Sequence, residues 1–259
     1  MNIIYPLIFL CALGAVAGLL LAVASKIFYV KADETVEKIN NALPGINCGA
    51  CGFSGCEGYA EAVANGNAPT DLCKTGGAKA NKEISAIMGV SASDSEPKIA
   101  VVRCKGSCDA ARVKYNFEGV KSCAAAEMLY SGYKLCPSGC MGLGDCAAVC
   151  PHGAISVENG VAKVDERRCV GCGICVRECP NALIALRKRS AKVDYLCMST
   201  LTAKDTIAAC DNGCIACRQC ERVCPVGAVK IVDNHAEVNY ELCTGCGACR
   251  EKCRRNVIV

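Results

Sequence analysis

The sequence predicts an α+β protein: an N-terminal transmembrane helix, a small cysteine domain, and two copies of a compact module of paired strands, short helices and cysteine loops. Three observations carry this prediction. From Ile3 to Ser25 no side chain is charged. Twenty-six cysteines occur among 259 residues, mostly in bursts two residues apart. Sliding the chain against itself until Cys150 meets Cys224 brings a long series of other cysteines into register.

The uncharged stretch is long enough to span a bilayer, which takes about 20 residues. No basic segment precedes it, whereas Lys26 and Lys31 follow it. A signal peptide has the opposite bias, although Ala22-Val23-Ala24 resembles a cleavage site. An uncleaved anchor also avoids delivering so many thiols to an oxidising compartment. The positive-inside rule then places the N-terminus outside and the rest of the chain in the cytoplasm, a single pass through the cytoplasmic (inner) membrane. Gly14 and Gly18 form a G-x-x-x-G that either admits a neighbouring helix or reflects ordinary composition. Cys11 reads as an apolar residue of the span.

Residues 31–43 read as a short amphipathic helix. Asp33, Glu34 and Glu37 lie early, Val36, Ile39 and Leu43 share a face, and Pro44-Gly45 ends it. A small cysteine domain follows to about residue 90, and residues 91–97 are a polar, breaker-rich linker. The predicted division is thus an anchor at 1–30, an N-terminal domain at 31–90 and a connector with extra cysteines at 91–135. Module 1 covers 136–190, and 191–259 holds an insertion and module 2.

At the offset that lays Cys150-Pro151 on Cys224-Pro225, Cys169, Cys172, Cys175 and Cys179 fall on Cys243, Cys246, Cys249 and Cys253. Upstream the match continues without a gap: Cys146 on Cys220, Cys140 on Cys214, Cys136 on Cys210 and Cys123 on Cys197. Between these positions, Ala154 to Val157 and Val161 to Val164 alternate as a strand pair around Glu158-Asn159-Gly160.

Such spacing points to metal rather than disulfides, because thiols crowded into one loop are ligands. With no Trp, four Phe and two His, the interior depends on metal more than on large side chains. The formal net charge of +4 leaves out cluster and thiolate charges. Cys-x2-Cys-x2-Cys-x3-Cys is complete at Cys169, Cys172, Cys175, Cys179; at Cys214, Cys217, Cys220, Cys224; and at Cys243, Cys246, Cys249, Cys253. Three thiolates two residues apart wrap one face of a [4Fe–4S] cluster, and the fourth reaches its neighbour. Zinc sites instead pair two separated Cys-x2-Cys units.

Crossed ligation assigns Cys214, Cys217, Cys220 and Cys253 to one cluster, and Cys224, Cys243, Cys246 and Cys249 to another. Cys150, Cys169, Cys172 and Cys175 make a third set. Its partner has Cys140, Cys146 and Cys179, with Leu143 where the repeat has Cys217. Either Cys136 supplies the missing thiolate, which is the preferred reading, or the site is [3Fe–4S]. Cys48, Cys51, Cys56 and Cys73, interleaved with Gly45, Gly49, Gly52 and Gly55, form a fifth four-thiolate set. Cys104, Cys108, Cys123, Cys197 and Cys210 remain; they are additional ligands of a sixth cluster or buried free thiols. The fold class therefore becomes a transmembrane helix, a small 4Fe–4S domain and duplicated two-cluster ferredoxin-like modules, with at least five [4Fe–4S] clusters.

The anchor, the run Asn47-Cys48-Gly49-Ala50-Cys51-Gly52-Phe53-Ser54-Gly55-Cys56 with Cys73, and the ferredoxin repeats in this order resemble the B subunit of the Rnf complex, an ion-translocating ferredoxin:NAD oxidoreductase with Rsx relatives. Arg103-Cys104-Lys105-Gly106-Ser107-Cys108 and the stretch 136–150 look like its longer form. This resemblance implies an electron-input subunit that takes electrons from reduced ferredoxin and relays them to membrane and flavin-bearing subunits, coupled to Na⁺ or H⁺ translocation. A polyferredoxin of another membrane redox complex, or of a system that keeps a redox sensor reduced, is the alternative. The chain has no G-x-G-x-x-G on a strand–helix turn and no catalytic constellation, so NAD chemistry is expected on other subunits. His152 and His235 read as incidental, and no nucleic-acid partner is expected. Basic clusters at Arg187-Lys188-Arg189 and at Arg250, Lys252, Arg254 and Arg255 are either a docking face for an acidic donor or a solvated surface.

Overall fold

The computed structural model describes residues 4–27, 33–91 and 96–259. Ile3 at the head of the expected span, Lys31, the first two positions of the expected helix 31–43, and residues 92–95 of the linker lie outside them.

Helix α1 (Ile4–Ile27) carries Lys26 in its last turn. Its stretch Ile8–Lys26 is long and apolar enough to cross a membrane. Phe9, Leu19 and Leu21 stand clear of the rest of the protein, and a helix apolar all round has no place in water. Among the described residues, nothing but the helix's own backbone lies within 4 Å of a Cβ placed at Gly14 or Gly18.

The next domain is helical. Helix α2 (Glu34–Ala42) begins at Asp33, whose carboxylate caps it by accepting the Thr35 N–H at 2.8 Å. Helices α3 (Cys56–Ala64) and α4 (Gly77–Met88) complete it. Ile39, Leu43, Tyr59, Ala60, Val63 and Ile84 form one core together with Cys73. Tyr59 is fixed at both ends: its ring lies beside Phe53, and its hydroxyl donates to the Pro69 carbonyl at 2.7 Å.

From residue 98 the chain builds two units, each with one hairpin. In the first, strand β1 (Lys98–Val102) leads through a long loop with helix α5 (Cys123–Glu127) to helix α6 (Asp145–Ala148). The hairpin β2 (Ile155–Glu158) and β3 (Val161–Val164) follows, then helix α7 (Ile174–Glu178) and strand β4 (Ile184–Lys188). The hairpin turn has Asn159 at φ 48° and Gly160 at φ 71°, the left-handed pair that matches strand twist in a two-residue loop. Strand β1 returns to pair with β4, antiparallel, with Val102 opposite Ile184.

The second unit has helix α8 (Ala203–Ala209), helix α9 (Gln219–Arg222), the hairpin β5 (Val229–Val232) and β6 (His235–Val238), and helix α10 (Ala248–Lys252). Its hairpin repeats β2–β3 at the offset that relates Cys150 to Cys224: Ile155 pairs with Val164, and Val229 with Val238. In place of the β1–β4 pair it has a single bridge, Tyr195 to Ile258, flanked by hydrogen bonds between Asp194 and Val259.

Each unit buries its own apolar set. Ile99, Ala154, Ile155, Val161, Ala162, Leu183 and Ile184 pack with cysteines in the first. Val193, Tyr195, Val229, Ala236, Val257 and Ile258 do so in the second. Arg187 joins the two: 5% exposed, it pairs with Asp194 at 2.8 Å and Glu166 at 2.7 Å. Tyr240 adds a hydroxyl donated to Asp194 at 3.0 Å.

Candidate metal centres

The cysteines gather in fours around voids. Cys48, Cys51, Cys56 and Cys73 line one of ≈ 330 Å³ in the N-terminal domain. Helix α3 presents Cys56 at its first residue, where the Asn47 side chain accepts the Cys56 N–H at 2.8 Å and fixes the loop entry. The Gly76 N–H donates to Cys73 Sγ at 3.3 Å.

Cys150, Cys169, Cys172 and Cys175 line a second void of ≈ 330 Å³. Backbone N–H groups already face its sulfurs: Ala154 donates to Cys150 Sγ and Ala100 to Cys169 Sγ, both at 3.3 Å. Ala100 belongs to β1, so a strand that the sequence pattern did not reveal helps set the polarity of this site. Gly171, at φ 69°, passes so close to the Lys98 carbonyl that any side chain there would overlap it. His152, read as incidental, also lies in this wall, its Nε2 buried without a hydrogen-bond partner.

The third void, ≈ 380 Å³, is lined by Cys140, Cys146, Cys179 and Cys123. Cys136, the expected fourth member, is absent from this wall and lines a different void. The reason lies in helix α5. Asp145 accepts the N–H groups of Cys123 (2.9 Å) and Ala124 (3.1 Å) and the Ser122 hydroxyl (2.9 Å). A carboxylate from the ligand loop thus caps the short helix that begins at Cys123. Partial burial works against its charge, but those three donors outweigh it and hold the Asp145 carboxyl below its usual range. Burial, with the adjacent thiols of Cys140, Cys123 and Cys179, pushes the Cys146 thiol up to about 12.

In the second unit Cys214, Cys217, Cys220 and Cys253 line a wider void of ≈ 730 Å³. Cys224, Cys243, Cys246 and Cys249 occupy the positions that answer to the Cys150 set, and Ala228 donates to Cys224 Sγ at 3.2 Å. Cys217 and Cys246 are exposed.

Among the described residues no three or more His, Cys, Asp or Glu side chains converge closely enough to hold a single ion. Zinc draws four thiolates to about 2.3 Å from one point. A cluster instead presents separate iron corners, and thiols standing around a void lined with N–H donors fit it.

The pairing of Cys123 with Cys197 by constant offset does not survive in space. Ile184 and Ile258 are equivalent at that offset, and their partners are Val102 and Tyr195. Counting two residues on from each, Cys104 answers to Cys197. The chain from Val102 to Cys136 is much longer than that from Tyr195 to Cys210, and the extra length is an insertion that delivers Cys123. Cys108 is exposed and lines none of these voids.

The expected basic docking face is partly absorbed by the fold. Arg187 is buried in its ion pairs, Arg189 donates to the Cys169 carbonyl, and Arg255 donates to the carbonyls of Gly213 and Cys210. Arg254, Lys252 and Arg250 remain exposed.

Three family models match the chain: "Putative Fe-S cluster" over residues 43–75, and two described as "4Fe-4S dicluster domain", over 139–183 with 168–228 and over 213–258. The B subunit of the ion-translocating oxidoreductase complex of Methanosarcina acetivorans is 38% identical over 250 residues, which is 96% of this chain and 95% of that protein. The B subunit of the Na(+)-translocating ferredoxin:NAD(+) oxidoreductase complex of Acetobacterium woodii is 37% identical over 257 residues, 99% of this chain and 77% of that one. A Clostridium ljungdahlii relative, named as the proton-translocating counterpart, is 37% identical over 63% of this chain and 58% of its own length. With the cysteines of three voids falling inside the matched segments and near full-length identity at this level, the chain belongs to the B-subunit family of the Rnf-type ion-translocating oxidoreductase complexes, as an iron–sulfur electron-transfer subunit.

Proposed function

We propose that this protein is the electron-input subunit of its complex, taking electrons from reduced ferredoxin and passing them to membrane and flavin-bearing subunits. In this reading α1 anchors the chain in the cytoplasmic membrane, with the cluster domains on the cytoplasmic side because Lys26 ends the helix there. The units at 98–188 and 194–259 are two copies of one ferredoxin-like module. A [4Fe–4S] cluster supplies one-electron chemistry without forming or breaking a covalent bond.

Four of the ligand sets follow voids, and the fifth follows the repeat spacing. Cys48, Cys51, Cys56 and Cys73 hold one cluster, and Cys150, Cys169, Cys172 and Cys175 a second. Cys123, Cys140, Cys146 and Cys179 hold a third, with Cys123 completing a cubane where [3Fe–4S] was the other reading. Cys214, Cys217, Cys220 and Cys253 hold a fourth, and Cys224, Cys243, Cys246 and Cys249 a fifth.

The observation that carries the reading is a graded arrangement of these sets. Two thiols of the C-terminal unit are open to solvent, where a soluble donor can approach. In the first unit, by contrast, Cys169 and Cys175 are buried. Mixing the anaerobic full-length protein with reduced ferredoxin should bleach its iron–sulfur absorbance rapidly. If reduced ferredoxin leaves every cluster oxidised, the input role is wrong.

A further inference from the structure

One of the cysteine-lined voids belongs to none of those five sets. It measures ≈ 420 Å³ and lies between the two units, with Cys104, Cys136, Cys197 and Cys210 in its wall. We propose that these four cysteines bind a further [4Fe–4S] cluster at the seam of the two units. The proposal rests on the reading that the chain carries such clusters, and not on the identity of the donor.

Convergence of the thiols is direct. A Cβ placed on Gly106 would stand 3.5 Å from Cys104 Sγ and 3.6 Å from Cys210 Sγ, although those cysteines are far apart in sequence. On the facing side, a Cβ on Gly139 would stand 3.8 Å from Cys136 Sγ. Glycine at both places lets the backbone close around the site.

The four ligands are two equivalent pairs. Cys104 and Cys197 each lie two residues past the end of the N-terminal strand segment of their unit. Each accepts an N–H from the first cysteine of the neighbouring set: Cys140 donates to Cys104 Sγ at 3.3 Å, and Cys214 to Cys197 Sγ at 3.2 Å. Cys136 and Cys210 lie four residues before those same cysteines. Each accepts at its carbonyl from a glycine three residues on, Gly139 at 3.1 Å and Gly213 at 3.2 Å. One position pair used twice gives a pseudo-twofold site that neither unit holds alone.

The surroundings call for negative charge. Lys134 is 3% exposed, and its Nζ donates to the carbonyls of Gly106 (2.8 Å) and Gly160 (2.9 Å) rather than to a carboxylate. A buried cation without a counter-charge is costly, and a thiolate-ligated cluster supplies one. The seam is also closed mechanically. Arg255 donates to the Cys210 carbonyl at 2.7 Å, Lys105 to the Asn256 carbonyl at 2.9 Å, and Asn212 to the Lys105 carbonyl at 3.1 Å.

This cluster bridges the Cys214 set of one unit and the Cys140 set of the other, through the two N–H···S contacts. Each transfer along that line would oxidise one cluster and reduce the next by one electron, whatever the donor. No proton or bond changes hands.

The test is iron, sulfide and zinc analysis with EPR on the full chain in detergent, purified anaerobically. The wild type should contain iron for six clusters, about four atoms each. A Cys136→Ala/Cys210→Ala chain should lose about four iron atoms and one spin system, while Cys108→Ser loses none. Lys134→Met should keep the iron and shift one cluster to lower potential. A wild-type count of five, zinc in place of the sixth iron complement, or unchanged iron in the double variant overturns the proposal. The wild-type count decides the matter even if the double variant misfolds. A chain with no clusters at all would instead overturn the electron-transfer reading itself.

Discussion

The two iron–sulfur units share a hairpin and a cysteine order at a constant offset, yet they differ in cover. Cys140, Cys146 and Cys175 of the first unit and their equivalents Cys214, Cys220 and Cys249 of the second are all buried, but Cys169 is buried where Cys243 is only half-buried, and β1 pairs with β4 over its full length. In the second, Cys217 and Cys246 are exposed and the sealing pair is one bridge. Two segments with the same cysteine spacing can thus differ in how open their thiols are, depending on what is packed over them. The first unit holds an insertion, and with it Cys123 in the wall of its void; the second keeps the unbroken Cys-x2-Cys-x2-Cys at Cys214.

Removing the metal should disturb both units most. The cysteines belong to both cores, so chelation under mild oxidation should abolish cooperative unfolding of both. The second unit should release its iron first, read by absorbance and amide exchange. Simultaneous loss would mean that cover does not control access.

Leu143 offers a test confined to one site. Cys123→Ala should convert one cubane to a three-iron site, visible as a new oxidised-state EPR signal. Adding Leu143→Cys, which restores the spacing of the second unit, should return the fourth iron. Absence of a three-iron signal in the single variant would place the fourth ligand elsewhere. Asp145→Ala should mimic Cys123→Ala in part, because Asp145 holds the cap of α5.

The joint between the units comes next. Arg187→Ala leaves Asp194 buried beside Tyr240 and should cost about 3–5 kcal/mol in unfolding experiments. Glu166→Gln, at the exposed end of the same guanidinium, should cost about 1 kcal/mol or less. Equal costs would show that burial does not set the value of this pair.

The smallest expected effect is at the surface of the second unit. Arg254→Gln should lower the on-rate for an acidic ferredoxin a few-fold at low salt and flatten its salt dependence. Arg255→Gln should instead act on stability, since its guanidinium is committed to the carbonyls of Gly213 and Cys210. Matching kinetic effects for the two would contradict this division.

Much of this was legible beforehand. The hairpin Ile155 to Val164 followed from alternation around Asn159-Gly160, because that dipeptide adopts the left-handed turn locally. The void-lining sets of Cys48, Cys150 and Cys214 followed from spacing. Strand β1 escaped notice because its partner β4 lies at the far end of the unit, and Lys98 to Val102 is a short apolar run without a turn beside it. The basic run at Arg187 reads as surface in one dimension, and only the approach of Asp194 and Glu166 buries it.

Local chemistry was settled by the order of residues alone. Three thiols two residues apart are spaced to meet one face of a cluster wherever that segment sits, because their geometry is set within one turn of chain. Ligands brought from a distance needed the folded chain. Cys123 reaches the Cys140 set through a helix capped by Asp145, and Cys104 comes to face Cys210 because the units dock through Arg187, Lys105 and Arg255. No spacing rule encodes such meetings, since they depend on which surfaces bury one another and leave their thiols around a common void.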